Sequence, residues 1–238
     1  GTAVVDRCTF AVNSAANYGG GIFNALNADL TVTGTTFTGN SAGLYGAGIS
    51  NSSGLLLTGS TFNSNNAGFE GGGVYSDFSS TLTINNSTFT ANSAAFYGGA
   101  VFNGSPRFTL NSSTLVENSA VRIGGGIYND FFGTPSSQVS NSIIALNTAP
   151  EGENIFGPRD ESFNFTSGDP KLSPLGNFGG PTKTMPPLPD SPVIDAGGTT
   201  TLSTDQRGQA RILVDGLDIG AFEVPFSDYN PTGVTIHA

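Results

Sequence analysis

Along the first half of the chain, apolar and polar positions alternate in short runs: Ala3-x-Val5, Leu30-x-Val32, Leu55-x-Leu57, Leu82-x-Ile84 and Phe108-x-Leu110. A spacing of two sends alternate side chains to one face of an extended backbone, so these runs predict half-buried strands. β-branched residues are common in them, Asn, Gly and Ser bound them, and the helix formers Glu, Lys and Arg are scarce.

The runs belong to a longer unit. Five residues after the second apolar position comes Phe10, Phe37, Phe62, Phe89 or Leu115, and Ile144 follows Val139 in the same way; the steps are 27, 25, 27, 26 and 29. Ile22, Ile49, Val74, Val101 and Ile127 lie twelve residues further on, and Ile155 lies eleven after Ile144. Nearly all length variation falls between this third column and the next run, where the gap is 8, 6, 8, 7 and 10 residues. Stacked solenoids accept insertions in loops and refuse them in strands. The pattern predicts an all-β, right-handed parallel β-helix over residues 1–157, with coils of about 26 residues holding about three short strands and three turns each.

Within such coils Phe10, Phe37, Phe62, Phe89 and Leu115 read as an inward stack. Asn13, Asn40, Asn65, Asn92, Asn118 and Asn147 each follow that column by three. Asn tolerates the left-handed backbone of sharp turns, and stacked amides hydrogen-bond along a repeat axis, so a structural ladder is expected. A row of glycan-binding amides is the competing reading. The glycines at 19–21, 71–73 and 124–126 lack the helix and lysine of a phosphate loop and predict tight corners with positive φ.

Composition narrows the class. Charged residues make up 11%, the net charge is -10, and there is one cysteine. An acidic surface repels phosphate backbones, which argues against a nucleic-acid partner. No run reaches the roughly 18 apolar residues of a membrane-spanning helix. Cys8 can form no intrachain disulfide and reads as a small buried hydrophobe. A secreted chain without disulfides points to a bacterial exterior, with signal peptide and anchor outside this sequence.

GGGIF, GGGVY, GGAVF and GGGIY, paired with FAVN, FTGN, FNSN and FTAN, resemble the GGA[IV] and FxxN repeats of polymorphic outer-membrane proteins. That resemblance implies a surface-exposed, adhesive β-helix. LGNFGGPTKT (Leu175 to Thr184), SPVIDAGG (Ser191 to Gly198), TDQRG (Thr204 to Gly208) and DIGAFE (Asp218 to Glu223) resemble the choice-of-anchor Q domain. It implies an irregular capping segment and tail over residues 158–238, and a cell-surface location.

Polysaccharide lyases and hydrolases share the β-helix, so an enzyme is the alternative. They need clustered carboxylates. Here Asp6, Asp29, Glu70, Asp77, Glu117 and Asp130 are sparse and recur at no fixed position, and the only histidine, His237, lies in the tail, so no catalytic residue is assigned. The C-terminal acids are denser. They pair with Arg207 and Arg211 in turn and cap salt bridges, or Asp205, Asp215 and Asp218 bind calcium, or they do chemistry; calcium is the one cofactor that enters at all. Outward-pointing Phe23, Tyr75, Phe102 and Tyr128, with Ser50 between the first two, predict an exposed aromatic stripe for a carbohydrate or protein ligand, unless loops or the C-terminal segment cover it. Tyr18, Tyr45 and Tyr97 form a further partial stack. Ala3-x-Val5 opens without a cap, so either further coils precede it or another subunit stacks there; with Val234-x-Ile236 offering a strand to a neighbour, the second alternative gives an end-to-end homo-oligomer. The reading as a whole is a bacterial cell-surface structural or adhesive module, or a building block of a fibre or sheath.

Overall fold

A computed structural model describes residues 1–130, 137–211 and 216–225. The first coil holds four strands: β1 (Thr2–Asp6), β2 (Thr9–Ala11), β3 (Ser14–Ala15) and β4 (Ile22–Asn24). Equivalent strands of later coils pair in parallel with these, giving sheets of seven, six, five and six strands among the described residues. Each full coil thus has one strand more than its spacing predicts. The addition is the two-residue segment between the asparagine corner and the glycine corner. The last strand of the stack, Arg159–Ser162, lies beyond residue 157.

The apolar columns fall in register as the spacing predicts. Phe10 faces Phe37, then Phe62, Phe89, Leu115 and Ile144. Phe37, Phe62 and Phe89 are fully buried, and the four rings stack at centroid distances of 5.0, 4.6 and 4.5 Å. With the Leu/Val/Ile columns of the β1 and β4 sheets they form one continuous core. At its far end Arg159 and Glu161 enter the columns of Ser137 and Val139, and their mutual ion pair closes the apolar interior.

Three polar ladders hold the corners. In the predicted one, Asn40 Nδ2 donates to Asn65 Oδ1 at 2.9 Å, Asn65 to Asn92 at 2.8 Å, and Asn92 to Asn118 at 2.9 Å. The left-handed residue, however, is the one before each asparagine: Val12, Gly39, Ser64, Ala91, Glu117 and Leu146 have φ between +56° and +62°. That conformation costs a non-glycine residue about 1–2 kcal/mol. The amide clamped beside it offsets the cost, so the side chain at the corner itself is free to vary. A hydroxyl column, Thr35, Ser60, Ser87, Ser113 and Ser142, accepts a backbone N–H from the preceding coil at 3.1–3.2 Å. Cys8 occupies this column in the first coil and is exposed, not buried. The third ladder runs through buried Asn24, Asn51, Ser76, Asn103 and Asn129.

The glycine triplets do two jobs. Only the first of each, such as Gly19, Gly71 and Gly124, has positive φ. The third gives way to a ring: a Cβ on Gly48 would sit 2.5 Å from the Gly73 carbonyl oxygen and 2.7 Å from the Phe62 ring. The one alanine in this column, Ala100, precedes the coil whose ring is replaced by Leu115.

Beyond Phe165, which still bridges Ile143 in parallel, the described C-terminal residues add no further coil. They fold back along the outer face of the β2 sheet. Val116, Ile143 and Ala145 on that face pack against Met185, Val193 and Ile219 in a second core. Towards the first coils the contact turns polar. Thr9, Thr36, Thr61, Thr88 and Thr114 share one column. Within it Thr88 Oγ1 donates to Gln206 Oε1 at 2.6 Å, and Gln206 Nε2 donates to Thr61 Oγ1 at 3.0 Å.

Candidate functional site

Outside the β4 sheet, Phe23, Ser50, Tyr75, Phe102, Tyr128 and Phe156 lie in one column. Parallel bridges set Tyr18, Tyr45, Glu70, Tyr97, Ile123 and Glu151 in a second. A third, through Leu44, Phe69, Phe96 and Arg122, is tied by backbone hydrogen bonds. The columns interlock through their small members. Ser50 lets Tyr45 lean onto Tyr75 at 4.6 Å, and Ile123 lets Tyr97 stack on Tyr128 at 4.8 Å. Tyr75, Phe102, Tyr128 and Phe156 stack at 5.0, 5.4 and 5.2 Å, and the Arg122 guanidinium lies 4.7 Å over the Phe96 ring.

The expected exposed stripe is therefore mostly covered. Phe23 is 52% exposed, Tyr75 and Tyr128 are half-buried, and Phe102 is buried beneath the edge of Phe78. A loop residue, Phe78, covers Phe102, and elsewhere the rings cover one another. Coils step by about 4.8 Å, within the roughly 4.5–7 Å centroid separation of offset-stacked rings, so each ring spends its faces on its neighbours. Solvent meets edges and hydroxyls.

Glu70 takes a ring's place between Tyr45 and Tyr97. It is 8% exposed and makes no side-chain hydrogen bond or ion pair among the described residues. Burial, and then the Asp130 carboxylate, raise its pKa to about 7. Its charge in turn adds to the upward shifts of Tyr45, Tyr75 and Tyr128. Burial is the leading cause of the upward shift in each tyrosine; Tyr128 reaches about 12, with its hydroxyl donated to Asp130 at 3.1 Å. The sequence gives these acids no common position, yet Asp77 and Asp130 share a column, third after Val74 and Ile127. Counting from that column reveals the recurrence. Stacking brings the Asp130 charge, two coils on, to bear on Glu70.

The C-terminal acids sit against the opposite flank. Asp205 accepts from Arg207 N and Nε, Gln209 N and Glu223 N. Asp218 accepts from Asp195 N and Val224 N. Arg207 pairs with Asp205 at 2.7 Å, and Arg211 with Glu223 at 2.9 Å. These acids are engaged in ion pairs and turn hydrogen bonds. Among the described residues no three His, Cys, Asp or Glu side chains gather as metal ligands, and Asp215, His237 and Val234-x-Ile236 lie outside the described residues.

Residues 1–120 match the right-handed β-helix region family. The chain belongs to this family. No curated protein and no solved structure matches the β-helix significantly. Its family thus defines the scaffold.

Proposed function

We propose that this β-helix is a structural and adhesive module of a bacterial cell surface, a stiff rod that binds an extracellular glycan along its tyrosine face. One observation carries the reading. Stacking needs rings and not hydroxyls, yet Tyr18, Tyr45, Tyr75 and Tyr97 carry hydroxyls that make no hydrogen bond among the described residues. A row of unused hydroxyls beside carboxylates suits a hydroxyl-rich ligand. The surface location rests on the outer-membrane-like repeat motifs, the anchor-like C-terminal motifs and the single cysteine. Immobilised chain should retain polysaccharide, and the Tyr45→Phe/Tyr75→Phe/Tyr97→Phe variant, which keeps the rings, should lose most of it. Undiminished retention would place the contact elsewhere.

A polysaccharide-active enzyme is the second reading, favoured by Glu70, a buried carboxyl with a pKa of about 7 that feels the charge of Asp130. Such a pair has the makings of a general acid and a base. Release of reducing ends or unsaturated sugars, abolished in Glu70→Gln, would select it over adhesion.

A further inference from the structure

We infer that the tyrosine face takes a cationic glycan, with the ammonium group of an amino sugar bound at the Glu70 carboxylate. The inference rests on the glycan reading above and names the ligand's charge. Three observations lead to it. Glu70 stands in a ring's position, more than nine-tenths buried and without a partner of its own. A carboxylate held this way costs free energy unless a cation reaches it. Next, the charged group that acts on Glu70 is another acid, Asp130, while Asp77 acts on the neighbouring Tyr75. The basic side chain placed on this side of the rod, Arg122, is engaged over Phe96, and no basic group relieves the Glu70 charge. Finally, the tyrosine hydroxyls rim the same spot. Tyr45 and Tyr97 flank Glu70 in its own column, and Tyr45 leans onto Tyr75 of the Glu70 coil at 4.6 Å. A protonated amine on a pyranose ring meets all three conditions: its charge answers the carboxylates, its hydroxyls meet the rim, and its stiff ring suits a preformed surface.

A neutral or N-acetylated sugar would satisfy the hydroxyls and leave Glu70 unpaired. An anionic sugar would face Glu70, Asp77 and Asp130 together and be repelled. A basic peptide answers the charge but makes little use of the hydroxyls, so it serves as a comparison ligand.

The test is titration calorimetry of the full chain at neutral pH. The ligands are glucosamine oligomers, N-acetylglucosamine oligomers and cello-oligomers of equal length, and oligolysine. The glucosamine oligomer should bind at least tenfold more tightly than the other sugars and than oligolysine. Glu70→Gln should reduce its affinity to the level of the N-acetylated oligomer. Asp160→Asn, on the outer face of the β1 sheet, should leave it unchanged. Equal binding of all three sugars would overturn the amine assignment and leave the glycan reading intact. Binding of no sugar would remove both. Equal losses in Glu70→Gln and Asp160→Asn would show attraction to net charge, and tighter oligolysine would show a peptide site; either result overturns the inference. Should Glu70→Gln melt early, Asp130→Asn provides the second probe and should weaken the glucosamine oligomer selectively.

Discussion

Gly48 shows how one missing methyl group sets the spacing of two coils. Its Cβ position is already claimed by the Phe62 ring and the Gly73 carbonyl of the next coil. Gly48→Ala should cost about 1–3 kcal/mol by overpacking, read from chemical denaturation. Adding Phe62→Leu, which reproduces the natural pairing of Ala100 with Leu115, should recover part of that loss, so the two changes should be less than additive. Glu70 is the residue with the clearest pH signature. The unfolded carboxyl releases its proton near the ordinary value of 4.5, whereas the folded one does so near 7. Between those values the folded state holds more protons than the unfolded state. This group's contribution is therefore most favourable below the window and is lost as pH rises through it. Thermal melts from pH 4.5 to 8 should show Glu70→Gln gaining most on wild type at the alkaline end; parallel profiles would show that Glu70 titrates normally.

At the scale of the element, hydrogen bonds across coils fix each corner. Asn65 Oδ1 accepts from Asn40 N and Nδ2 at 3.0 and 2.9 Å, and its Nδ2 donates to Phe37 O and Asn92 Oδ1 at 3.0 and 2.8 Å. Truncating it strands partners in two coils besides its own. Asn65→Ala should cost about 3 kcal/mol or more, since each buried group left without a partner costs about 1–3 kcal/mol. Hydrogen exchange should show the loss at the backbone N–H of residue 40 first. Turn propensity alone would confine the damage to residues 64–66. The Asn and hydroxyl ladders also explain why Val12 and Leu146 tolerate left-handed corners: the amide beside them supplies what glycine would otherwise provide.

For the molecule as a whole, the C-terminal segment binds several coils together along one side. Gln206 reaches Thr61 and Thr88, Thr182 Oγ1 donates to the Gly59 carbonyl, and Arg211 donates to Asn86 Oδ1 at 2.8 Å. A stack of repeats otherwise has only nearest-neighbour contacts. The segment couples distant coils and should sharpen their unfolding. Gln206→Ala should destabilise by about 2 kcal/mol and lower the cooperativity of the transition, seen as a smaller denaturant slope. Glu223 adds a second titration to this flank, because burial and then Asp218 raise its pKa to about 7 in spite of Arg211. Docking of the segment should therefore loosen as pH rises through the same window as Glu70. The two contributions separate by site, since Glu70→Gln leaves the flank untouched.

The strands, their parallel register and the inward columns were legible in the chain, because a solenoid repeats its contacts at a fixed separation and length variation marks the loops. Asn13 to Asn147 announced their ladder for the same reason. Asn24, Asn51, Asn103 and Asn129 carried an equal signal two residues after the Ile/Val column. The left-handed corners did not, because Val12 and Glu117 give no hint of a backbone fixed by a neighbouring amide. What the tertiary structure alone decided lies on the outer faces. The coil step matches the separation of offset-stacked rings, so an outward stripe becomes a stack. Glu70 falls between Tyr45 and Tyr97 only when coils are laid over one another. The C-terminal segment chose the β2 face because apolar Val116, Ile143 and Ala145 and a polar threonine column lie there in one line. Repetition along the axis is written in the sequence, whereas contacts across faces and between non-repeating parts depend on three-dimensional neighbours that no local pattern names.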